Sequence, residues 1–283
     1  MDIAKSNSLE AWVDRLSRSE IPVLRRTAEQ LGVMRADLER VSVRQAAGVV
    51  QNDPLMTCRL LVHVARLRRG GSATHDIETT EQALLMIGVV RFLETFAGVV
   101  TVERMLGERR EALVGALRVA GRSRHAARFA ADWAVFRNDL HVFEIATAAL
   151  LHDIAELMAW IYAPDTMLRL DEVCKANPRR RTADIQAELF GFTFNELKLA
   201  LNRQWQAPEY LIELMDDEAV NRHPSHLTVR LASALARHSQ RGWDDPAIPD
   251  DLRGVSELLK VPVSAVAARL GIEVPPGMLE AEA

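Results

Sequence analysis

The segment from Ile145 to Ile161 constrains the fold most, because it is apolar on nearly every side yet has a His-Asp pair near its centre. A helix that is apolar all round is normally buried, and the sequence predicts one long buried helix here. His152, Asp153 and Glu156 are therefore expected inside the protein. An unpaired charge in such a place is costly. These polar groups must bind either a metal ion or one another.

The rest of the sequence predicts an all-α protein. Alanine and leucine are abundant, and glycine and proline fall mostly between periodic segments. Ser42–Gln45 and Thr79–Gln82 have the pattern of helix capping boxes, and Asp53–Pro54 has that of a capping residue followed by proline in the first turn. Valine pairs between Met86 and Val102 would suit a strand, but no alternating partner strand is evident. Helix is predicted there too.

Charge and composition argue against several classes of protein. A net charge of −4 gives no global field that would attract nucleic acid or an anionic membrane. Cys58 and Cys174 match no metal-binding spacing, so we expect two free thiols in a reducing cytoplasm. The first residues lack the apolar core of a signal peptide, and the longest apolar stretch is interrupted by charges. The sequence therefore predicts a cytoplasmic protein with no membrane span.

Several segments, taken in order, resemble characteristic stretches of the HDOD family, bacterial signalling domains that are related to HD phosphohydrolases. The segment Ala149-Leu-Leu-His-Asp-Ile-Ala155 is similar to the family's Gly-Leu-Leu-His-Asp-Ile-Gly, with Ala155 in place of the last glycine. The other segments that resemble the family are Ile21–Leu24, Val49–Leu61, Thr80–Gly88 and Glu188–Pro208. Together they extend over most of the chain.

The resemblance implies a two-lobed helical bundle. An HDOD domain is expected over residues 14–240, in which an N-terminal helical lobe at residues 14–107 packs on an HD-like lobe at residues 111–240. The break between the lobes falls near Gly107 to Arg110. Residues 251–283 are expected to form a C-terminal helical tail.

The resemblance also implies a role in signalling without catalysis, because the HDOD family is a catalytically silent relative of the HD hydrolases. No enzymatic activity and no cofactor are expected. The expected partners are a signalling protein or a small regulatory ligand. We expect either to lie in the groove between the N-terminal lobe and the helix of His152.

An HD-type hydrolase holds its divalent ion with one histidine, an adjacent His-Asp pair and a closing aspartate. Here His125, His152 and Asp153 could supply the first three, but Ser233 stands where the aspartate is expected. A neutral hydroxyl replaces a carboxylate poorly beside a dication. We therefore predict a vestigial cluster of His125, His152, Asp153 and Glu156 that binds no metal and is held by hydrogen bonds. A residual metal-dependent phosphohydrolase remains the alternative.

Arginines are dense between residues 109 and 128. Arg118, Arg122, Arg124 and Arg128 could form one patch that binds an anion or a partner. A regulator associated with nucleic acid is the second alternative, because such patches can neutralise phosphates. The negative net charge and the absence of interleaved aromatic residues argue against it.

Overall fold

The fold of the described residues is all-α, as predicted, in a computed structural model that describes residues 8–68, 77–219 and 223–274. The described residues contain no strand. The helices of the first part are α1 (Leu9–Arg18), α2 (Arg25–Ala36), α3 (Val43–Val50), α4 (Pro54–Arg68), α5 (Thr80–Ile87), α6 (Val89–Thr95) and α7 (Val102–Leu106). They are followed by α8 (Arg110–Phe136), α9 (Val142–Leu151), α10 (Ile154–Tyr162), α11 (Pro164–Ala176), α12 (Thr182–Phe190), α13 (Phe194–Trp205), α14 (Glu209–Met215), α15 (Pro224–His238), α16 (Ile248–Leu259) and α17 (Val263–Leu270).

Local capping signals position the helices of the N-terminal lobe. Both predicted capping boxes are present, at the starts of α3 and α5. The Asp53 carboxylate is fully buried and accepts hydrogen bonds from the backbone N–H groups of Leu55 (2.9 Å) and Met56 (3.2 Å) in the first turn of α4. It also accepts one from the N–H of Leu24 (2.8 Å), just before α2. One side chain therefore joins the starts of two helices.

The helix predicted over Met86 to Val102 is interrupted at Gly88 and ends at Thr95, and the prediction was wrong for Val99 to Thr101, which are extended. After Gly98, which has a left-handed φ of 67°, the chain is extended. The N–H of Val23 donates to the Val100 carbonyl (3.0 Å), and the N–H of Val102 donates to the Val23 carbonyl (2.9 Å). The partner is almost eighty residues away, so no local pattern could show it.

The long helix α8 is the axis of the second lobe, where it packs against α9, α10, α11 and α15. It also contacts α4 and α7 and so joins the two lobes. Gly115 allows a close approach, because a Cβ atom at that position would lie 2.7 Å from the Trp160 ring on α10. This contact brings α10, with its polar residues, directly against α8.

The predicted single helix over Ile145 to Ile161 is two helices. Helix α9 ends at Leu151 and α10 begins at Ile154, and Asp153 between them has a non-helical ψ of 19°. The Asp153 side chain makes no capping bond to α10, so both of its oxygens are free to pair with other side chains. The His-Asp pair therefore lies at a bend and not inside a helix.

Helix α16 packs against α15, and α17 packs against α16, at the C-terminal end of the described chain. His238 Nδ1 of α15 lies 2.6 Å from Asp251 Oδ2 of α16, and this contact raises the pKa of His238. Residues 275–283 of the predicted tail lie outside the described residues, and the predicted bounds of the lobes stay a prediction. Cys58 and Cys174 are both free thiols. Within the described residues, no helix combines the length and the apolar character that crossing a membrane requires.

Candidate functional site

A group of charged side chains meets at the bend between α9 and α10, and we call it the ionic network. Helix α8 supplies a cation from one side, α13 supplies another from the opposite side, and α15 supplies a third. The segment after α14 supplies a carboxylate. The members are Arg122, His152, Asp153, Glu156, Lys198, Asp217 and Arg237.

Asp153 and Arg122 form the buried centre of the network. Arg122 Nε donates to Asp153 Oδ2 at 2.6 Å, and the guanidinium of Arg122 also pairs with Glu156 one turn along α10. The other oxygen of Asp153 lies 3.2 Å from His152 Nδ1 and 3.5 Å from Arg237 Nη2. Both carboxylate oxygens of Asp153 are therefore already engaged by nitrogen groups of the protein.

Lys198 and Asp217 complete the network on the other side of His152. Lys198 Nζ donates to Asp217 Oδ2 at 3.0 Å and lies 3.3 Å from His152 Nε2. The same ring nitrogen lies 2.9 Å from Asp217 Oδ1. One carboxylate thus contacts both the lysine and the histidine, and His152 has a carboxylate at each edge of its ring.

Within the described residues, the three carboxylates of the ionic network face three arginine and lysine cations in addition to the His152 ring, so they are compensated without an added ion. Burial alone would raise the pKa of Asp153, but the charge of Arg122 outweighs it and holds that pKa well below its usual range. Burial likewise opposes ionisation of Asp217, and His152 with Lys198 lowers the pKa of that carboxyl. Burial lowers the pKa of Lys198, and Asp217 opposes this shift.

The residues of the ionic network do not fit a divalent metal ion. A metal needs several free carboxylate or imidazole lone pairs aimed at one point, but those of Asp153 and His152 face Arg122, Arg237 and Lys198. A dication 4 Å from one buried cation would be repelled by about 8 kcal/mol at an effective dielectric constant of 20. Within the described residues, no group of three or more metal-ligating side chains could hold an ion.

The structure brings together three of the four residues of the predicted cluster and leaves the fourth apart. His152, Asp153 and Glu156 belong to the ionic network, but the His125 side chain is exposed, and its ring contacts Phe129 on the same helix. The side chain of α8 that reaches Asp153 is Arg122. Ser233 is buried on α15, and its hydroxyl has no hydrogen-bond partner among the described residues.

The four arginines of the predicted patch are divided between two cavities, one lined by Arg118 and Arg122 and the other by Arg124 and Arg128. Arg122 is buried and paired in the ionic network. Arg118 lines a cleft on one side of α8, whereas Arg124 and Arg128 line a groove on another. The physical reason is the length of α8: residues three or four apart share a face, but the whole stretch winds around the helix.

Sequence reasoning missed Lys198 and Asp217. A signal existed for Lys198, which is one of four lysines in an arginine-rich chain and lies among the apolar positions Phe194, Leu197 and Leu201 of an amphipathic helix. A charge at such a position predicts a buried partner. No comparable signal marks Asp217, because it follows α14 in an irregular segment.

Two adjoining cavities open beside the ionic network. The first, which we call the network pocket, has a volume of about 390 Å³ and reaches His152, Lys198 and Asp217. The second, of about 450 Å³, lies beyond Arg122 and Arg237 and is lined by Arg118 and Gln240. Both volumes are in the range of small-molecule sites.

A separate groove of about 260 Å³ lies between the lobes, and we call it the interlobe groove. Gln51 and Asn52, between α3 and α4, form one side, and Arg124, Arg128 and Phe143 of α8 and α9 form the other. Phe143 is 63% exposed. A smaller cavity of about 210 Å³, lined by Arg26, continues the groove past Asn52 and Arg124.

Comparison with known proteins gives a family match and fold matches. The HDOD domain family model matches residues 21–219. The MmoQ response regulator from Methylococcus capsulatus is 19% identical, with a TM-score of 0.66 over 86% of this chain and 99% of that one. A virulence factor from Campylobacter jejuni is 18% identical, with a TM-score of 0.66 over 94% of this chain and 93% of that one. No curated protein matches the chain in sequence.

Proposed function

The chain belongs to the HDOD domain family, and we propose that it is a non-catalytic regulatory module of bacterial signal transduction. It acts by binding a protein partner or a small ligand in the cytoplasm. It makes and breaks no bond in those molecules. The HDOD match supports the class of protein, and the chemistry of the ionic network supports the absence of catalysis.

The observation that carries this proposal is the pairing of Asp153 with Arg122. In a metal-dependent hydrolase that carboxylate must be free to bind the ion that activates water. Here an arginine, which stays charged at every physiological pH, donates to it at 2.6 Å. Lys198 has the same effect on the other side of His152. Positive side chains therefore take the role of the ion in neutralising the carboxylates.

An activity assay tests the non-catalytic proposal. Purified protein is incubated with bis(p-nitrophenyl) phosphate or a cyclic dinucleotide in the presence of Mn²⁺ or Mg²⁺. We expect no turnover above the rate without protein, because no metal-bound water can form at Asp153. The Asp153→Asn variant is the matched control. Hydrolysis by the wild-type protein that this variant loses would contradict the proposal.

For the protein partner, we propose that the interlobe groove binds an amphipathic segment with acidic residues. Arg26, Arg124 and Arg128 line the groove and its continuation, and none has a carboxylate partner in the part of the chain that the structure describes. Among the described residues, no acidic side chain lines either cavity. The exposed Phe143 ring offers an apolar contact, and Leu140, just before α9, is 94% exposed. A partner helix with apolar and acidic faces complements this surface.

Two variants test the interlobe groove. Phe143→Ser and Arg128→Glu should each weaken capture of the partner from a host lysate by about tenfold or more, the scale of a lost anchor or a reversed charge. Leu85→Ser is the control, since Leu85 is a similarly exposed apolar residue on α5. Quantitative mass spectrometry compares the captured proteins, and a direct titration at low and high salt follows. A partner retained equally by all variants would refute this surface.

A further inference from the structure

Lys198 is a buried cation that depends on one carboxylate. Its side chain is only 2% exposed, on a helix packed into the core. An ammonium group in such a place is strongly destabilised unless an anion compensates it. Asp217 is the carboxylate that contacts it, and the second oxygen of Asp217 contacts His152. The side chains of Lys198 and His152 together therefore form a receptor for the two oxygens of one carboxylate.

Asp217 is the replaceable partner of this contact. Its side chain is 38% exposed, and it lies on an irregular segment after α14 and not on a helix. Within the part of the chain that the structure describes, its backbone N–H donates a single, long hydrogen bond (3.4 Å) to the Asn195 side chain. Lys198, by contrast, is fixed by its helix. A carboxylate from outside could take the same place while Asp217 moves into water.

The remainder of the network pocket suits a ligand with an apolar body. Trp160, Met167, Leu170 and Phe194 form its apolar wall, and Thr182 and Gln186 are among its polar residues. A volume of about 390 Å³ holds a small organic molecule. The pocket therefore presents a cationic receptor beside an apolar surface.

The charge of the network pocket favours a single negative group on the ligand. Among the described residues, five carboxylates line the pocket against three cations, so a ligand with several phosphates would be repelled. A carboxylate that displaces Asp217 replaces one negative charge by another at the receptor. The carboxylates are those of Asp153, Glu156, Asp171, Asp217 and Glu218, and the cations are those of Arg122, Lys198 and Arg237.

We propose that the network pocket binds a small organic monocarboxylate whose carboxylate group replaces that of Asp217 on Lys198 and His152. This inference rests on the proposed function, because binding of the carboxylate requires the Lys198 amine at the place where a hydrolase would hold a metal ion. Asp217 is then an internal competitor of the ligand. Removing its charge should strengthen binding.

Isothermal titration with phenylacetate and acetate as probes tests the inference. The Asp217→Asn variant should bind phenylacetate at least about tenfold more tightly than the wild-type protein, a difference of 1.4 kcal/mol. Acetate should bind Asp217→Asn more weakly than phenylacetate does, because it lacks the apolar body. The neutral amide phenylacetamide should not bind this variant. Adding Lys198→Met to Asp217→Asn should abolish binding. Circular dichroism checks that each variant is folded.

Glu218→Gln is the matched control, because it removes a neighbouring carboxylate that lines the pocket but does not contact Lys198. It should leave the affinity for phenylacetate within about twofold of the wild-type value, a change well below 1 kcal/mol. The inference is overturned if neither carboxylate binds Asp217→Asn, or if Asp217→Asn binds no better than Glu218→Gln. Either result leaves the non-catalytic proposal standing, since only hydrolysis would contradict that.

Discussion

Replacement of Arg122 by methionine is expected to lower the free energy of unfolding by about 3–5 kcal/mol, as measured by urea denaturation. Arg122 is buried and pairs with both Asp153 and Glu156. Methionine has a similar length, so packing changes little, but Asp153 is left as a buried charge without its main partner. Removing one partner of a buried ion pair costs far more than the pair contributes.

The pH dependence of the Arg122→Met variant distinguishes this cause from simple packing loss. The folded-state pKa of Asp153 is depressed in the wild-type protein, so its stabilisation is present above the unfolded pKa of about 3.9 and is lost as the pH falls. Without Arg122, burial should raise that pKa. The stability deficit should therefore be largest near pH 7 and should shrink towards pH 4.

Arg128→Met is the control for this prediction, because Arg128 is exposed on the same helix and belongs to no ion pair in the described residues. It should change the stability by no more than about 0.5 kcal/mol. Equal losses for both variants, or a deficit for Arg122→Met that does not change with pH, would contradict the account of the ionic network.

Replacement of Asp53 by alanine is expected to lower the free energy of unfolding by about 3 kcal/mol. It removes both the cap of α4 and the buried hydrogen bond from Leu24. Three backbone N–H groups donate to this carboxylate, at Leu24, Leu55 and Met56. Without it, the N–H before α2 and those of the first turn of α4 lose their acceptor. Thermal and urea unfolding measure the loss.

Asp53→Asn is the matched control for the alanine variant. Its amide oxygen can still accept hydrogen bonds, and burial already raises the pKa of Asp53 and so disfavours the charge. We expect this variant to lose about 1 kcal/mol, the scale of one net hydrogen bond. Equal losses for asparagine and alanine would show that the accepted hydrogen bonds are not what stabilises this junction.

These two sites also show how far the sequence could predict the structure. The capping role of Asp53 was predictable from Asp53–Pro54, because the partners Leu55 and Met56 are adjacent in the chain. Its bond to Leu24 was not, because that partner is 29 residues away. The same limit applies to Val99 to Thr101, whose partner is Val23.

In the candidate site, the burial of His152 and Asp153 was predictable from the apolar run around them, but their partners were not. His125 and Arg122 are three residues apart on α8, so they differ by about 60° in direction and about 4.5 Å along the axis, and the placement of that helix decides which one reaches Asp153. The spacing of residues along the chain does not determine how a helix is oriented in the fold. Lys198 and Asp217 reach the site from elements that are 46 and 65 residues from His152.

Arg122 and Lys198 neutralise the carboxylates that a metal ion would otherwise bind, and this is what excludes a metal from the site. Titration of the metal-free protein with Mn²⁺, followed by calorimetry and by elemental analysis of the dialysed product, tests it most directly. We expect no stoichiometric metal and no difference between the wild-type protein and Asp153→Asn. One tightly held Mn²⁺ per chain that is lost in Asp153→Asn would contradict it.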